Sequence, residues 1–563
     1  MIKEILKLIS KTEDAKILKT ENISGNSSIK RYEQVISVET ELSLNDGLKI
    51  ILLYITLKEP YSVHLPKIYI DEKSYDELKF IPHINEDLSI CIYDTDTNFY
   101  FEQKNLPEIV VDLIAKSKII LRGKNDASYL KEEFEREFLA YWNIKYSNRE
   151  KTSETGICLI DSQHFQNLKA IKFINKFGLY EYLVYNNENH FKLLEKYLKI
   201  KGVKYAEIPA FAATFKELEP PYSITFSKSV KYLNDLNDFK SKINKLKFGE
   251  FLVVFKNEYD ELFGWTYPFV KKHINGFREL SNWQFLNSNF GKNYLVNRLS
   301  FSSISPKRLD IRTSGIEVNR ELKIALIGIG SVGSNLLHYL TKYPISKYCL
   351  IDPDILKVEN VFRNKFGFNY ITEFKVDIGE YEILSKNPFT EVLSFRRDIC
   401  AVIENEPDVI EDYDFRFIVL GILRIEKYIL QHLINLKSVK PIILIWVEPY
   451  LASGQLVYLK PEDFDKGINL ISNYPFHVIK SGQNISKKEG SCQTGYMPYS
   501  DMRLNLFLSS INSILYEILV ENNYNKSKVI SWIGDTEELK KINIEINDKY
   551  DGINKFTIIE NEF

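Results

Sequence analysis

The chain has 563 residues, a length that predicts roughly 4 domains. Lys+Arg of 74 against Asp+Glu of 76 leaves a net charge of -2, which argues against holding nucleic acid or anionic lipid by bulk charge. An apolar fraction of 44% with 13% aromatics excludes disorder as the default, and 5 scattered cysteines without a C-x-x-C pair exclude a disulfide scaffold and a four-cysteine zinc site.

In chain order, Ile2, Ile5, Leu6, Leu8 and Ile9 recur at helical spacing and predict a helix over 2–12. Val35–Leu44 and Leu48–Leu57 read as strands, and Asn45-Asp46-Gly47 between them predicts a hairpin. Lys67–Ile70 is a further strand, and 81–101 reads as a structured loop around Cys91. Helices are expected at Leu106–Lys118 and Tyr129–Trp142. Beyond them lie short strand candidates (Gly156–Ile160, Tyr182–Tyr185, Phe251–Phe255), a polar helical stretch at Val230–Lys247 and a break at Pro220-Pro221, but no motif that carries chemistry. From about residue 300 the texture changes. Lys323–Ile327 is a buried-type strand, followed by a glycine-rich turn, a helix at Val332–Tyr343 and a strand at Tyr348–Ile351, the start of a doubly wound sheet. Further strands are expected at Phe415–Leu420 and Pro441–Val447, and a helix at Asp501–Leu519. No apolar run approaches the roughly 18–20 residues of a membrane helix, and Met1-Ile2-Lys3-Glu4 opens no secretion signal. The expectation is a cytoplasmic α/β and α+β multidomain protein without nucleic-acid or membrane partners. Its blocks are an α+β domain at 1–145, a middle linker or scaffold domain at 146–300 and a Rossmann-like domain at 301–563.

The glycine-rich turn reads Gly328-Ile329-Gly330-Ser331-Val332-Gly333-Ser334. Small residues let backbone approach a phosphate, and the helix N-terminus adds unpaired N–H donors. Asp352, at the end of the next strand, is placed to bind ribose hydroxyls. These features alone suit NAD as well as ATP. The residues after them favour a triphosphate: Asp352-Pro353-Asp354, then Asn360, Arg363 and Lys375. Converging cations neutralise charge on departing phosphates, for which a dehydrogenase has no use. Over about 308–520 this set resembles the adenylating superfamily of ThiF, MoeB and the ubiquitin-activating enzymes. The resemblance implies that Gly328, Gly330, Gly333 and Ser334 line ATP, that Asp352 binds ribose, and that Asn360, Arg363 and Lys375 contact phosphates, with Mg2+ accompanying ATP. One departure stands out. Leu423 occupies about the place of the family's magnesium-positioning Asp, leaving Asp354 or Glu426 to supply a carboxylate. No protein ligand set for a resident metal is read from the sequence.

Thiolates accept acyl groups, and thioesters keep much of an acyl-adenylate's activation. Cys492 lies in Gly490-Ser491-Cys492-Gln493-Thr494-Gly495, among small, turn-forming residues unsuited to a core, and reads as a nucleophile. Cys91 follows Pro82-His83-Ile84-Asn85-Glu86-Asp87-Leu88-Ser89-Ile90, after paired strands and before helices. That order, with Glu135-Arg136-Glu137-Phe138 further on, resembles bacterial relatives of ubiquitin-conjugating enzymes over about 1–145. It implies an acyl-acceptor role for Cys91, while His83 reads as a structural hydrogen-bonding residue and Pro82-His83 reverses the eukaryotic order. Cys158, Cys349 and Cys400 read as structural.

A conjugating-type domain, a middle domain and an activating-type domain in this order resemble the fused enzymes of CBASS anti-phage operons. Gly249–Trp265 and Ile445-Trp446-Val447-Glu448-Pro449 look like segments of that group. The resemblance implies adenylation of a partner protein's C-terminus, transfer to Cys492 and then Cys91, and ligation to a target amine. Its implied partner is a cGAS/DncV-like nucleotidyltransferase. It also implies a homodimer through the activating domain, with Arg308 or Arg312 reaching the neighbouring site. The alternatives are an adenylating enzyme for a small sulfur-carrier protein, a binding scaffold whose site has decayed, as Leu423 allows, and an NAD oxidoreductase.

Overall fold

Ile36 and Val38 on one strand pair with Ile55 and Leu53 on the next, and the apolar face they share with Leu42 begins the first core. The computed structural model of the chain describes residues 1–18, 28–32, 34–93, 101–145, 154–160, 165–175, 178, 180–214, 220, 222, 224–233, 235–246, 249–257, 261–269, 280–289, 291–304, 306–483, 485–488 and 495–563. They form two units, one of Met1–Asn187 with Tyr205–Ile304, the other of Glu188–Lys204 with Ser305–Phe563.

The first unit opens with α1 (Ile2–Ile9), β1 (Asp14–Leu18), β2 (Gln34–Leu44), β3 (Gly47–Leu57), β4 (Lys67–Ile70) and α2 (Glu72–Leu78), and continues with α3 (Leu106–Arg122). The strands form an antiparallel sheet in sequence order. Leu44 pairs with Gly47, so Asn45-Asp46 is a two-residue turn, and the φ of +126° at Gly47 is one that glycine adopts without steric cost. Ile5 and Ile9 of α1 and Leu106, Val110, Leu113 and Ile114 of α3 cover the apolar face. The segment after α2 has no repeating structure, yet Ile81, Ile84 and Ile90 are buried in the same core. Bridges of Ile84 to Ile90 and of Tyr69 to Ser89 close it into a fixed loop.

The single helix expected over Tyr129–Trp142 is two, α4 (Ala127–Arg136) and α5 (Phe138–Asn143). Glu137 between them leaves helical geometry at φ -107°, ψ 25°. The cause is tertiary: α4 buries no residue, whereas α5 buries Phe138, Tyr141 and Trp142. A change of direction lets the aromatic trio reach its own core, and packing outweighs continuity.

That core belongs to a closed barrel, a fold the middle block did not reveal in sequence. Its strands are β5 (Glu154–Leu159), β6 (Lys169–Ile174), β7 (Tyr180–Tyr185), β8 (Tyr205–Thr214), β9 (Gly249–Lys256), β10 (Leu262–Phe269) and β11 (Asn297–Ser303), in the order β10-β11-β5-β7-β6-β8-β9. Between β7 and β8 the chain forms α6 (Glu188–Ile200), which groups with the second unit. The short helices α7 (Phe226–Ser229), α8 (Leu236–Lys245) and α9 (Asn282–Leu286) complete the block. Helix α8 covers only part of the stretch expected over 230–247, because Leu233 is already extended. Trp142 stacks on Phe138 at 5.6 Å, donates its indole N–H to the Leu299 carbonyl at 2.8 Å, and its own carbonyl accepts from the buried Arg298 at 2.7 Å.

The second unit contains α10 (Pro306–Ser314), β12 (Leu322–Ile327), α11 (Ser331–Leu340), β13 (Ile345–Ile351), α12 (Lys375–Lys386), β14 (Glu391–Phe395), α13 (Ile399–Asn405), β15 (Phe415–Ile418), α14 (Leu423–Asn435), β16 (Ile442–Val447), β17 (Ser453–Leu459), α15 (Phe464–Ser472), β18 (Lys487–Lys488), β19 (Gly495–Tyr496), α16 (Asp501–Leu519), β20 (Lys528–Ile533), α17 (Thr536–Lys541) and β21 (Thr557–Asn561). The main sheet runs β14-β13-β12-β15-β16-β17-β20-β21. Pairing is parallel through β16 and antiparallel beyond it. Alternate residues of β12 enter different cores: Ile324 and Leu326 meet α11, α12 and α16, while Ala325 and Ile327 meet α13, α14 and α15. A sheet covered on both faces explains the continuous apolar strands. Within this unit Lys196 of α6 pairs with Glu380 of α12 at 2.6 Å. Among the described residues no helix is long and apolar enough to cross a membrane.

Trp142→Ala removes a fully buried anchor and leaves the Leu299 carbonyl without its donor. The expected cost is about 3–5 kcal/mol, read as a lower denaturant midpoint for the first unit.

Candidate active site

In parallel sheets covered on both faces, ligands bind beyond the C-terminal strand ends. Here the ends of β12, β13 and β15 bring together the glycine-rich turn, Asp352 and residues 419–422. Gly328 has φ +93°, and a Cβ there would lie 2.7 Å from the Val419 carbonyl oxygen. A Cβ on Gly333 would lie 2.0 Å from the Gly328 carbonyl oxygen, so this glycine lets helix and turn touch. Gly330 differs, because a Cβ there would meet nothing within 4 Å. It borders open space at the N-terminus of the ten-residue α11, where unpaired N–H groups favour an anion.

Asp352 is buried, and its carboxylate accepts the Ile329 N–H at 2.6 Å and the Asp354 N–H at 2.9 Å. Burial raises its carboxyl above the ordinary value, against the pull of Lys375 and of those two N–H groups. Lys375, buried at the start of α12, places its Nζ 2.7 Å from Asp354 and 3.9 Å from Asp352. A buried lysine between two carboxylates is a held cation that a phosphate can recruit.

Arg363 sits on the crossover between β13 and α12. Its carbonyl accepts from the Ser331 hydroxyl and from Asn335 Nδ2 at 3.2 Å, which ties the crossover to α11. Its guanidinium lies 5.6 Å from the Tyr499 ring centroid. Ser334 is fully buried, and its hydroxyl accepts the Lys365 N–H at 3.2 Å. That hydroxyl thus holds the crossover instead of opening to the crevice. Asn360 accepts the Lys357 N–H at 3.2 Å, closing a short turn. The structure brings Gly328, Gly330, Asp352 and Lys375 together and ties Arg363 to the same helix. Asn360 is joined to Arg363 through its backbone, its carbonyl accepting the Arg363 N–H at 3.1 Å.

Leu423, which leaves Asp354 or Glu426 as the expected source of a carboxylate, opens α14 and is 42% exposed. Glu426, one turn on, is buried, and burial raises its carboxyl, while the N–H groups of Ile422 and Gly421 pull it down. Asp354 is the more open acid, its side chain 65% exposed. Cys492 lies outside the described residues, as do its neighbours from 489 to 494. The flanks are described: β18 and β19 pair antiparallel, Lys487 with Tyr496 and Lys488 with Gly495. Pro498 then accepts the Tyr450 N–H at 2.5 Å. Arg308 and Arg312 are exposed on α10.

In the first unit Cys91 is exposed. Its N–H donates to the His83 carbonyl at 2.8 Å. His83 has φ 63°, its N–H donates to the Tyr141 hydroxyl oxygen at 2.6 Å, and its imidazole Nε2 lies 3.1 Å from Glu133. Asn85 bonds Ser89 and shapes the turn before Cys91. The ring of acids around His83 is absent from the sequence reading, although Glu133, Glu137 and Tyr141 stand at i, i+4 and i+8, the spacing of one helix face. Cys158 and Cys349 are buried on strands, and burial pushes the Cys349 thiol up to about 12, while Cys400 is half-buried.

Residues 19–150 match the family model for prokaryotic E2 family B, and residues 305–462 match the ThiF family. No curated protein sequence matches the chain. Solved structures similar in part include PaaA, at 15% identity and a TM-score of 0.30, covering 43% of this chain and 64% of that one. Another is E. coli MccB with ATP, at 15% identity and 0.28, covering 40% and 63%. A third, E. coli MccB with MccA, stands at 14% and 0.29, covering 43% and 63%. The chain thus spans less than two thirds of the length of these structures.

Gly333→Ala should lower the stability of the second unit by about 1–3 kcal/mol through overpacking. Gly330→Ala should leave it within about 0.5 kcal/mol of the unmutated chain. Thermal unfolding of the two variants side by side checks this.

Proposed function

We propose that this chain, which joins a prokaryotic E2 family B domain to a ThiF family domain, activates a partner protein's C-terminus with ATP and conjugates it to an amine. The observation that carries the reading is the crevice, where an open glycine cradle at a helix N-terminus, a buried carboxylate and a buried lysine meet at the strand ends.

Those groups define the chemistry. A carboxylate oxygen of the partner attacks the α-phosphorus of ATP, a P–O bond forms, and pyrophosphate leaves. Gly330 gives the phosphates room, and Asp352, already anchored by two N–H groups, keeps lone pairs for ribose hydroxyls. Lys375 exchanges Asp354 for phosphate oxygens and opposes the charge on the leaving group, with Arg363 as the second cation. The acyl group passes to Cys492 as AMP departs, then to Cys91 by thiol exchange, and finally to the target amine. Both cysteines in one chain raise the effective concentration for transfer. Mg2+ would neutralise phosphate charge when bound. Leu423 has no side-chain oxygen to offer and Glu426 is turned on backbone N–H groups, so Asp354, once Lys375 has turned to phosphate, is the acid that would hold the ion.

The partner is a cGAS/DncV-like nucleotidyltransferase of an anti-phage operon, and the active form is a homodimer through the activating domain in which Arg308 or Arg312 serves the neighbouring site. These assignments rest on the resemblance of domain order and motifs. A decayed scaffold is the second reading, favoured by Leu423.

Pyrophosphate exchange with the C-terminal peptide of the protein encoded next door separates the two. Exchange above background is expected, falling at least about 100-fold in Lys375→Ala and clearly in Gly330→Ala; no exchange in the unmutated enzyme supports the scaffold. Cys492→Ala should abolish every reducible adduct, whereas Cys91→Ala should leave the adduct on Cys492. Adducts on neither cysteine despite active exchange would refute the relay.

A further inference from the structure

Behind Cys91 lies a charge network that the acyl relay leaves unused. His83 stands at its centre, with Nε2 at 3.1 Å from Glu133 and Nδ1 at 3.5 Å from Glu137. Arg136 also bonds Glu133, at 2.5 Å. Tyr141 donates its hydroxyl to Glu137 at 2.9 Å and accepts the His83 N–H at 2.6 Å. Cys91 donates its N–H to the carbonyl of that same histidine, so the thiol's backbone and the network share one anchor. Burial pushes the Tyr141 phenol well above its ordinary value.

The last step at Cys91 requires a proton acceptor. An amine that attacks a thioester carbonyl becomes positively charged, and its proton must leave for the amide to persist. The network offers four groups, of which three are excluded. Tyr141 stays protonated and acts as a donor. Both ring nitrogens of His83 face carboxylates. Glu133 is already engaged by the Arg136 guanidinium and, at the shorter of the two imidazole contacts, by His83, and its side chain is 13% exposed. Glu137 has a neutral hydroxyl and one longer contact to imidazole, and its side chain is 36% exposed. The break between α4 and α5 falls on this residue, which places its carboxylate against both Tyr141 and His83.

We propose that Glu137 takes the proton from the acceptor amine at Cys91, with Tyr141 and His83 as positioning residues. The inference rests on the reading that Cys91 carries a thioester. The amine nitrogen bonds the acyl carbon, the C–S bond breaks, Cys91 leaves as thiolate, and the ammonium proton passes to Glu137 and from there to water.

The test uses the full chain with Cys492→Ala, loaded at Cys91 by a glycine-ending peptide thioester of mercaptoethanesulfonate, with EDTA throughout, and a Cys91→Ala control. Intact mass follows loading and then discharge onto Nα-acetyl-lysine or hydroxylamine. Glu137→Gln should load at the unmutated rate and discharge onto the lysine at least about tenfold more slowly near pH 7. Glu137→Asp should regain part of the rate, and discharge onto the weakly basic hydroxylamine should be little changed. A structural role would slow both amines alike, and that result overturns the proposal, as does lysine discharge by Glu137→Gln within twofold of the unmutated rate. Loss of discharge by the unmutated chain in EDTA would place a metal among these ligands and overturn it too. Failure of the unmutated chain to load Cys91 removes the thioester reading and this inference together, whereas normal loading with unaffected discharge removes the inference alone.

Discussion

The Ile329 N–H donates to the Asp352 carboxylate at 2.6 Å, and through this bond the turn after β12 is tied to the end of β13. A buried carboxylate is costly unless backbone donors or a cation answer it. Asp352 has both, two N–H groups and Lys375 at 3.9 Å. Its position therefore dictates where the glycine turn opens, where the crossover to α12 begins and where the lysine waits. The crossover is fastened separately to α11, through the Ser331 and Ser334 hydroxyls. The crevice is thus held in place by the chain's own bonds, the rigidity that electrostatic stabilisation of a developing charge would require.

The first unit applies the same economy to a thiol. Cys91 lies in a segment with no ladder of its own, held by buried isoleucines and by a chain of bonds from Tyr141 through His83. Tyr141 in turn sits on α5, whose Phe138 and Trp142 are locked into the barrel core. The middle barrel thereby gives a rigid backing to the helix that touches the cysteine's anchor.

Local signals were legible in the sequence, and distant pairings were not. The hairpin at Asn45-Asp46 and the strand-turn-helix-strand at 322–351 each depend on residues a few positions apart. The barrel depends on partners such as Glu154–Leu159 with Asn297–Ser303, which no periodicity within either strand reveals. Aromatic spacing over 129–142 suggests one continuous helix, but the core those aromatics serve lies in the barrel and breaks it. In the crevice, glycines, acid and lysine followed from motif chemistry. The commitment of the Ser334 hydroxyl to the crossover and the contact of Arg363 with Tyr499 depend on chain segments brought together only by folding. Glu137 was hidden for the same reason, since its importance comes from His83, which lies more than fifty residues earlier.

The proposed function stands or falls on a carboxylate becoming an acyl-adenylate in this crevice, and isotope transfer reads that step without intermediaries. The neighbouring protein's C-terminal peptide, labelled with oxygen-18 in its carboxylate, is incubated with the enzyme, ATP and an acceptor amine, and the released AMP is weighed. AMP carrying one oxygen-18 taken from the peptide is expected. Unlabelled AMP, or none, would contradict adenylation at this site.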